Sequence, residues 1–87
     1  MAKSTTQSVG AIFGDVIKQR RADMGISQEE LAHRAGVDRT YVSRIERGVR
    51  QPTITTLIGL GMALEVPASE LMAEVEKAYF ALNVSTK

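Results

Sequence analysis

Five side chains that donate hydrogen bonds recur on one side of a short segment in the middle of the chain. They are Arg39, Thr40, Ser43, Arg44 and Arg47. Counting about 100° per residue of helix from Asp38 places Val42 and Ile45 within about 40° of zero, and the five donors on the opposite arc. Arginine forks onto guanine O6 and N7, and hydroxyl groups bond base edges or phosphates. Because the arc holds no acidic residue, its chemistry fits a nucleic-acid duplex; a solvated face that happens to be basic is the alternative.

Two short helices joined by a tight turn position this arc. Ser27 and Glu30 predict a capping box for the first helix, in which Ser27 accepts from the amide of Glu30 and the carboxylate reaches back to the amide of Ser27. Gly36 stands where a helix end needs a left-handed residue. Asp38 is a preferred N-cap for the second helix, which Gly48 closes. The sequence therefore predicts a helix, a sharp turn and a second helix over residues 38–47.

Apolar periodicity over the rest of the chain predicts an all-α domain of five helices and no strands, with the helix pair as helices 2 and 3. The first helix begins at Val9 and ends at Gly25, and a fourth, mostly buried helix begins at Pro52. The domain is predicted over residues 9–82, after a disordered arm at 1–8, with its last helix at about 68–82 and a flexible tail at 83–87.

The last predicted helix carries a long apolar stripe. The first half of that stripe is expected to cover the core, and the second half, from Val75 onward, is expected to stay exposed on a monomer, as interfaces do. The predicted dimer interface comprises Leu71, Met72, Val75, Ala78, Tyr79 and Leu82. Since one short helix reads few base pairs, a symmetric pair reading half-sites about 34 Å apart is the natural assembly. The alternative is that the whole stripe is core.

Composition excludes several classes of function. The chain has 87 residues and no cysteine, so disulfides, zinc fingers and thiol chemistry are absent, and it is too small to fit a buried enzyme cleft easily. His33 is the single histidine and is expected to be solvated, so neither a metal nor a cofactor site is predicted. No apolar run approaches the ~20 residues of a membrane span, and no signal peptide is recognisable. We expect a soluble cytoplasmic protein.

Charge is distributed unevenly along the chain, although its net value is only +1. Residues 1–50 hold nine basic and six acidic side chains, a balance of +3, and residues 51–87 hold two basic and four acidic ones, a balance of −2. A modest basic patch on a nearly neutral protein indicates salt-dependent binding through a few well-placed contacts.

Several motifs in order carry a family resemblance. The runs 25–32 (GISQEELA) and 41–48 (YVSRIERG), followed by Pro52, Thr53 and Leu57, resemble the Cro/repressor helix-turn-helix family of the xenobiotic response element type. The resemblance spans about residues 9–72. Within that family, the run 38–43 before Ile45, Glu46 and Arg47, with Arg50 beyond, is similar to the small controller proteins of restriction-modification systems. Those proteins act as dimers on operator DNA and control the timing of gene expression. Related phage repressors and antitoxins share many of these residues.

The resemblance implies roles for individual residues. Base contacts are implied for Arg39, Thr40, Ser43 and Arg44, and DNA backbone contacts for Gln28, Tyr41, Arg47 and Arg50. A plain exposed position for Gln28 and a part-buried core position for Tyr41 are the alternatives. Arg21 and Glu46 resemble a structural pair that ties the first helix to the third, so neither is assigned to the site.

The resemblance implies that the protein is a homodimeric regulator of transcription. The dimer is expected to bind a partly palindromic operator and to block or recruit RNA polymerase there, without a cofactor or a membrane. Two other classes stay open. One is a protein-interaction module, such as an antitoxin or coactivator component, which docks a partner through its last helix. The other is the sensor half of a ligand-responsive repressor. Two residues depart from the family pattern. Arg20 stands where many relatives carry an apolar residue, and Glu65 stands where many carry glycine. Both departures concern only the packing of the domain and the end of a helix.

Overall fold

The computed structural model describes residues 8–83, which form five α-helices and no strand. The helices are α1 Val9–Met24, α2 Gln28–Ala35, α3 Arg39–Glu46, α4 Ile54–Ala63 and α5 Ala68–Asn83. The predicted all-α fold class is therefore confirmed. Residues 1–7 of the predicted arm and 84–87 of the predicted tail lie outside the described residues. Ser8, assigned to the arm, is instead the N-cap of α1 and accepts from the amide of Ala11 at 3.0 Å. Asn83, assigned to the tail, ends α5.

Local capping residues fix both ends of α2 and the start of α3. Ser27 accepts from the amide of Glu30 at 3.0 Å, as predicted, but the Glu30 carboxylate accepts from Arg34 Nε at 2.8 Å rather than reaching back to Ser27. Only half of the predicted capping box forms, because a cation one turn ahead offers the carboxylate a stronger donor. Gly36 is left-handed, with φ of 74°. Asp38 then accepts from the amide of Thr40 at 3.0 Å and starts α3.

Helix α1 packs against both α3 and α5, whereas α2 packs against α3 and α4, and α4 also packs against α5. The buried core comprises Ile12, Phe13, Ile17, Leu31, Ala32, Val42, Ile45, Leu60, Ala63, Leu64, Leu71 and Val75. A Cβ at Gly14 would overlap the backbone carbonyl oxygen of Ile45. The backbones of α1 and α3 thus meet without a side chain between them, which fixes the position of α3.

Helix α4 differs from its prediction as a mostly buried helix. Leu60, Gly61 and Ala63 are buried, but three large apolar side chains are exposed. They are Ile54 at 74%, Ile58 at 50% and Met62 at 75% of full exposure. These residues repeat every fourth position, so they share the side of α4 that neither α2 nor α5 covers.

The predicted dimer interface on α5 is wrong for two of its residues. Leu71 and Val75 belong to the buried core of the single chain, because this side of α5 packs along α1. Ala78 and Tyr79 are half-buried against the same core. Met72 and Leu82 remain exposed.

An ion cluster fastens α5 to α1. The guanidinium of Arg20 donates to Glu70 at 2.8 Å and also to Glu74, and these bonds raise the pKa of Arg20. Arg20, which stands where many family members carry an apolar residue, therefore helps to hold α5 against α1 in this chain.

Within residues 8–83 no single helix is long and apolar enough to cross a bilayer; α4 and α5 reach that length and hydropathy only as a pair bent by 104°.

Candidate nucleic-acid interface

Helix α3 presents the predicted donor arc to solvent. Its inner side is fixed by Val42 and Ile45, both fully buried. Arg39, Thr40 and Arg44 are exposed on the opposite side, and Ser43 is half-buried. We call the surface formed by Arg39, Thr40, Ser43, Arg44 and Arg47 the reading face. Because Glu46 is turned inward, the reading face contains hydrogen-bond donors and no carboxylate.

The end of α3 adds cations to this surface. Arg47 is the exposed C-cap residue, and its Nε lies 3.4 Å from the hydroxyl of Ser43, one turn earlier. Gly48 follows with its amide on the carbonyl of Ile45 at 3.0 Å. The chain therefore turns away directly after Arg47 and leaves its guanidinium at the edge of the reading face.

Arg50 and Tyr41 form a stacked pair beside α3. The guanidinium carbon of Arg50 lies 5.2 Å from the centroid of the Tyr41 ring, within the range of a cation–π contact. Tyr41 is half-buried and packs against the core, which is the alternative position that the sequence left open. The ring therefore links the core to an exposed cation and restrains it.

Glu46 is the acceptor of a bonded cluster behind the reading face. Arg21 donates to it twice, from Nε at 2.6 Å and from Nη2 at 3.0 Å, and also donates from Nη1 to the carbonyl of Ile26 at 2.8 Å. The hydrogen bond to Glu46 raises the pKa of Arg21 against the opposing effect of burial. This is the structural pair that the family resemblance implies, and it joins α1 to α3.

Gln28 joins the same cluster, which the sequence did not predict. Its Nε2 donates to Glu46 Oε1 at 3.0 Å, and the side chain is half-buried rather than plainly exposed. A carboxylate only accepts, so the amide nitrogen must face it, and the second N–H of that amide is left for another acceptor. The amide is thereby held at the first turn of α2, where helix N–H groups also favour a phosphate.

Within the described part of the chain, no group of three His, Asp or Glu side chains is placed to hold a metal ion. Exposed hydrogen-bond donors and cations cluster on and around α3 in residues 8–83. That chemistry matches a polyanion with hydrogen-bonding base edges.

Comparison with known proteins identifies the family. The helix-turn-helix family pattern matches residues 17–71, which is more than half of the chain. The chain belongs to the helix-turn-helix family. This helix-turn-helix protein is 36% identical over 69 residues to the HTH-type transcriptional regulator y4dJ of Sinorhizobium fredii, a match that covers 79% of this chain and 90% of that protein. It is therefore a DNA-binding regulator of transcription.

Two solved structures of controller proteins are similar to this helix-turn-helix protein. The restriction-modification controller protein C.AhdI from Aeromonas hydrophila is 38% identical with a TM-score of 0.69, over 70% of this chain and 92% of that one. The controller protein C.Esp1396I, solved as a tetramer with its natural 35 base-pair operator, is 34% identical with a TM-score of 0.76, over 85% and 97%. The predicted resemblance to controller proteins is confirmed.

Proposed function

We propose that this protein is a controller-type regulator that binds operator DNA as a homodimer in the cytoplasm and has no enzymatic activity. One observation carries the proposal: α3 exposes a continuous surface of donors, while its only internal acid is turned toward Arg21. Hydrogen-bond donors and positive charge, which this surface supplies, are sufficient for a protein that binds DNA without catalysing a reaction.

In the proposed complex, α3 enters the major groove from its N-terminal end. Arg39 and Thr40 contact bases first, and Ser43 and Arg44 contact bases one turn later. Four residues hold the DNA backbone around this helix. They are Gln28, Tyr41, Arg47 and Arg50. Their contacts fix the register of α3 on the duplex but carry no base information.

Two copies are proposed because α3 has only eight residues and reads few base pairs. The C.Esp1396I structure contains several copies of that protein on one operator, which supports self-association here. A two-fold pair reads a partly palindromic operator with half-sites about one helical turn apart. Such an operator at a promoter lets the dimer block or recruit RNA polymerase.

Selection from randomised duplex DNA tests this proposal. We expect the enriched sites to contain two inverted half-sites with centres about 10 base pairs apart. An absence of enrichment at low ionic strength would overturn the proposed sequence-specific function.

Substitutions then separate base reading from backbone binding. Arg39→Ala should cost about 1–3 kcal/mol and relax the preference at one base pair, whereas Arg47→Ala should weaken all sequences alike and reduce the salt slope by about 1. Lys18→Ala is the matched control, because it removes one exposed cation from α1 rather than from α3. Equal weakening of every sequence by both arginine variants would rule out direct reading by Arg39.

A further inference from the structure

Glu46 accepts hydrogen bonds from two side chains on different helices. Its Oε2 accepts from Arg21 Nε at 2.6 Å, and its Oε1 accepts from both Arg21 Nη2 and Gln28 Nε2 at 3.0 Å. Arg21 belongs to α1, whereas Gln28 is the first residue of α2 and is assigned to the DNA backbone in the proposed complex. One buried carboxylate therefore connects a structural ion pair to a residue of the proposed DNA contact.

The carboxylate determines which end of the Gln28 amide points inward. Because a carboxylate only accepts, the NH₂ group faces Glu46, and the amide oxygen would be repelled there. That group carries a second N–H, which stays available when the first is bonded. Glu46 is itself buried and bonded twice to Arg21, so the acceptor that orients the amide is held in place.

The charge of Glu46 does not prevent a phosphate from approaching Gln28, because the guanidinium of Arg21 neutralises it. The first turn of α2 carries two further acidic residues, Glu29 and Glu30. Net charge therefore gives this turn little attraction for a phosphate. A donor of fixed direction can still form a strong hydrogen bond there, since bonds to ionised acceptors are stronger than neutral ones.

We propose that Glu46 is a positioning residue for DNA binding, which orients the Gln28 amide so that its remaining N–H donates to one backbone phosphate. An amide that is already oriented loses less side-chain entropy when it binds. The inference rests on the proposed function, in which Gln28 contacts the DNA backbone. It gives the buried pair of Arg21 and Glu46 a role in binding besides its role in holding α3.

Neutral methylphosphonate linkages, placed one at a time in the selected operator, locate the phosphate that Gln28 contacts. At that position the substitution should weaken wild-type binding by about 10-fold, as loss of a hydrogen bond to a charged group does. It should have a much smaller effect on Gln28→Met, which keeps the length of the side chain and removes its hydrogen bonds. If no linkage distinguishes Gln28→Met from the wild-type chain, the inference is overturned.

Removal of the carboxylate then tests the positioning role. The double variant Arg21→Met, Glu46→Leu removes both charges and leaves Gln28 without its acceptor. We expect it to lose the effect at the Gln28 phosphate and to retain the effect at phosphates that depend on Arg47. A pair with a purely structural role would displace α3 and weaken every contact alike. An effect retained at the Gln28 phosphate, or an equal loss at every linkage, overturns the positioning role.

Arg20→Met is the matched control for the double variant. It also replaces an arginine of α1 by methionine, but it breaks the ion cluster with α5 and leaves the bonds of Glu46 intact. We expect this variant to show the wild-type pattern of methylphosphonate effects.

NMR relaxation of the Gln28 side-chain amide tests the inference without DNA. We expect an order parameter above about 0.6 in the wild-type chain and a lower value in the double variant. A mobile amide in the wild-type chain overturns the inference even if that chain binds operator DNA, and this measurement needs no substitution at Glu46. An ordered amide in a chain that binds no operator would instead overturn the proposed function and, with it, the phosphate contact.

Discussion

The guanidinium of Arg21 and the carboxylate of Glu46 meet through two hydrogen bonds, at 2.6 and 3.0 Å, across the contact between α1 and α3. The Glu46 side chain is 3% exposed and that of Arg21 is 17% exposed. A carboxylate that is buried this deeply depends on its partner for solvation. The pair therefore holds the position of α3 relative to the domain, although neither residue lies on the reading face.

Removal of the cation from this pair should be strongly destabilising. We expect Arg21→Met to lower the free energy of unfolding by about 3–5 kcal/mol, because it leaves Glu46 buried without its charge partner. Chemical denaturation measures the change. The double variant Arg21→Met, Glu46→Leu should recover part of the loss, and a double variant no more stable than Arg21→Met would contradict this account.

Glu65 offers a stabilising substitution. It has φ of 63°, a left-handed conformation that costs a residue with a Cβ about 1–2 kcal/mol. Glu65→Gly removes that cost but adds about 0.5–1 kcal/mol of unfolded-chain entropy, so a net gain of about 0.5 kcal/mol is expected. Glu65→Ala is the control, since alanine keeps the Cβ; equal stability of the two variants in thermal unfolding would contradict the argument.

The pair of Glu30 and Arg34 should make stability depend on acid pH. The hydrogen bond from Arg34 lowers the pKa of Glu30 in the folded chain. The contribution of this pair to the free energy of unfolding is therefore fully present above the unfolded-state pKa of glutamate, about 4.3. It is lost as the pH falls through the lower pKa that Glu30 has in the folded chain. Glu30→Gln should be less stable than the parent at pH 7, and the difference should shrink in acid. Glu29→Gln is the control, because it removes a charge from the same turn; an identical pH profile for both variants would contradict this role.

The stack of Arg50 on Tyr41 should appear as coupling in DNA affinity. Tyr41→Leu removes the ring face, so the guanidinium of Arg50 loses its restraint, and affinity should fall for all sequences alike. The double-mutant cycle with Arg50→Ala should give a coupling of about 0.5–1 kcal/mol, as exposed cation–π pairs do. Tyr41→Phe keeps the ring and should retain the coupling. A coupling near zero would show that the two residues act independently.

Features that depend on neighbouring residues were predictable from the sequence. Gly36 and Asp38 mark the turn between α2 and α3 because left-handed and capping preferences act within a few residues. The outward arc of α3 followed from helical periodicity once Val42 and Ile45 were assigned to the core.

Features that depend on tertiary packing were not predictable in this way. Helix α4 is apolar on most sides, so periodicity alone does not say which side α2 and α5 leave uncovered, and the whole helix was predicted to be mostly buried. Val75 was assigned to the surface because the path of α5 along α1 has no local signal. The bond from Gln28 to Glu46 joins residues that are 18 positions apart, and its sequence signal was only the presence of two complementary side chains.

Helix α1 packs against both α3 and α5. Those two helices differ in charge, because α3 and its C-cap contain three arginines and one glutamate, whereas α5 contains three glutamates and one lysine. A duplex attracts the first set of charges and repels the second, which favours an approach with α3 toward the DNA. Orientation during the encounter therefore depends on where the charges lie along the chain as much as on their total.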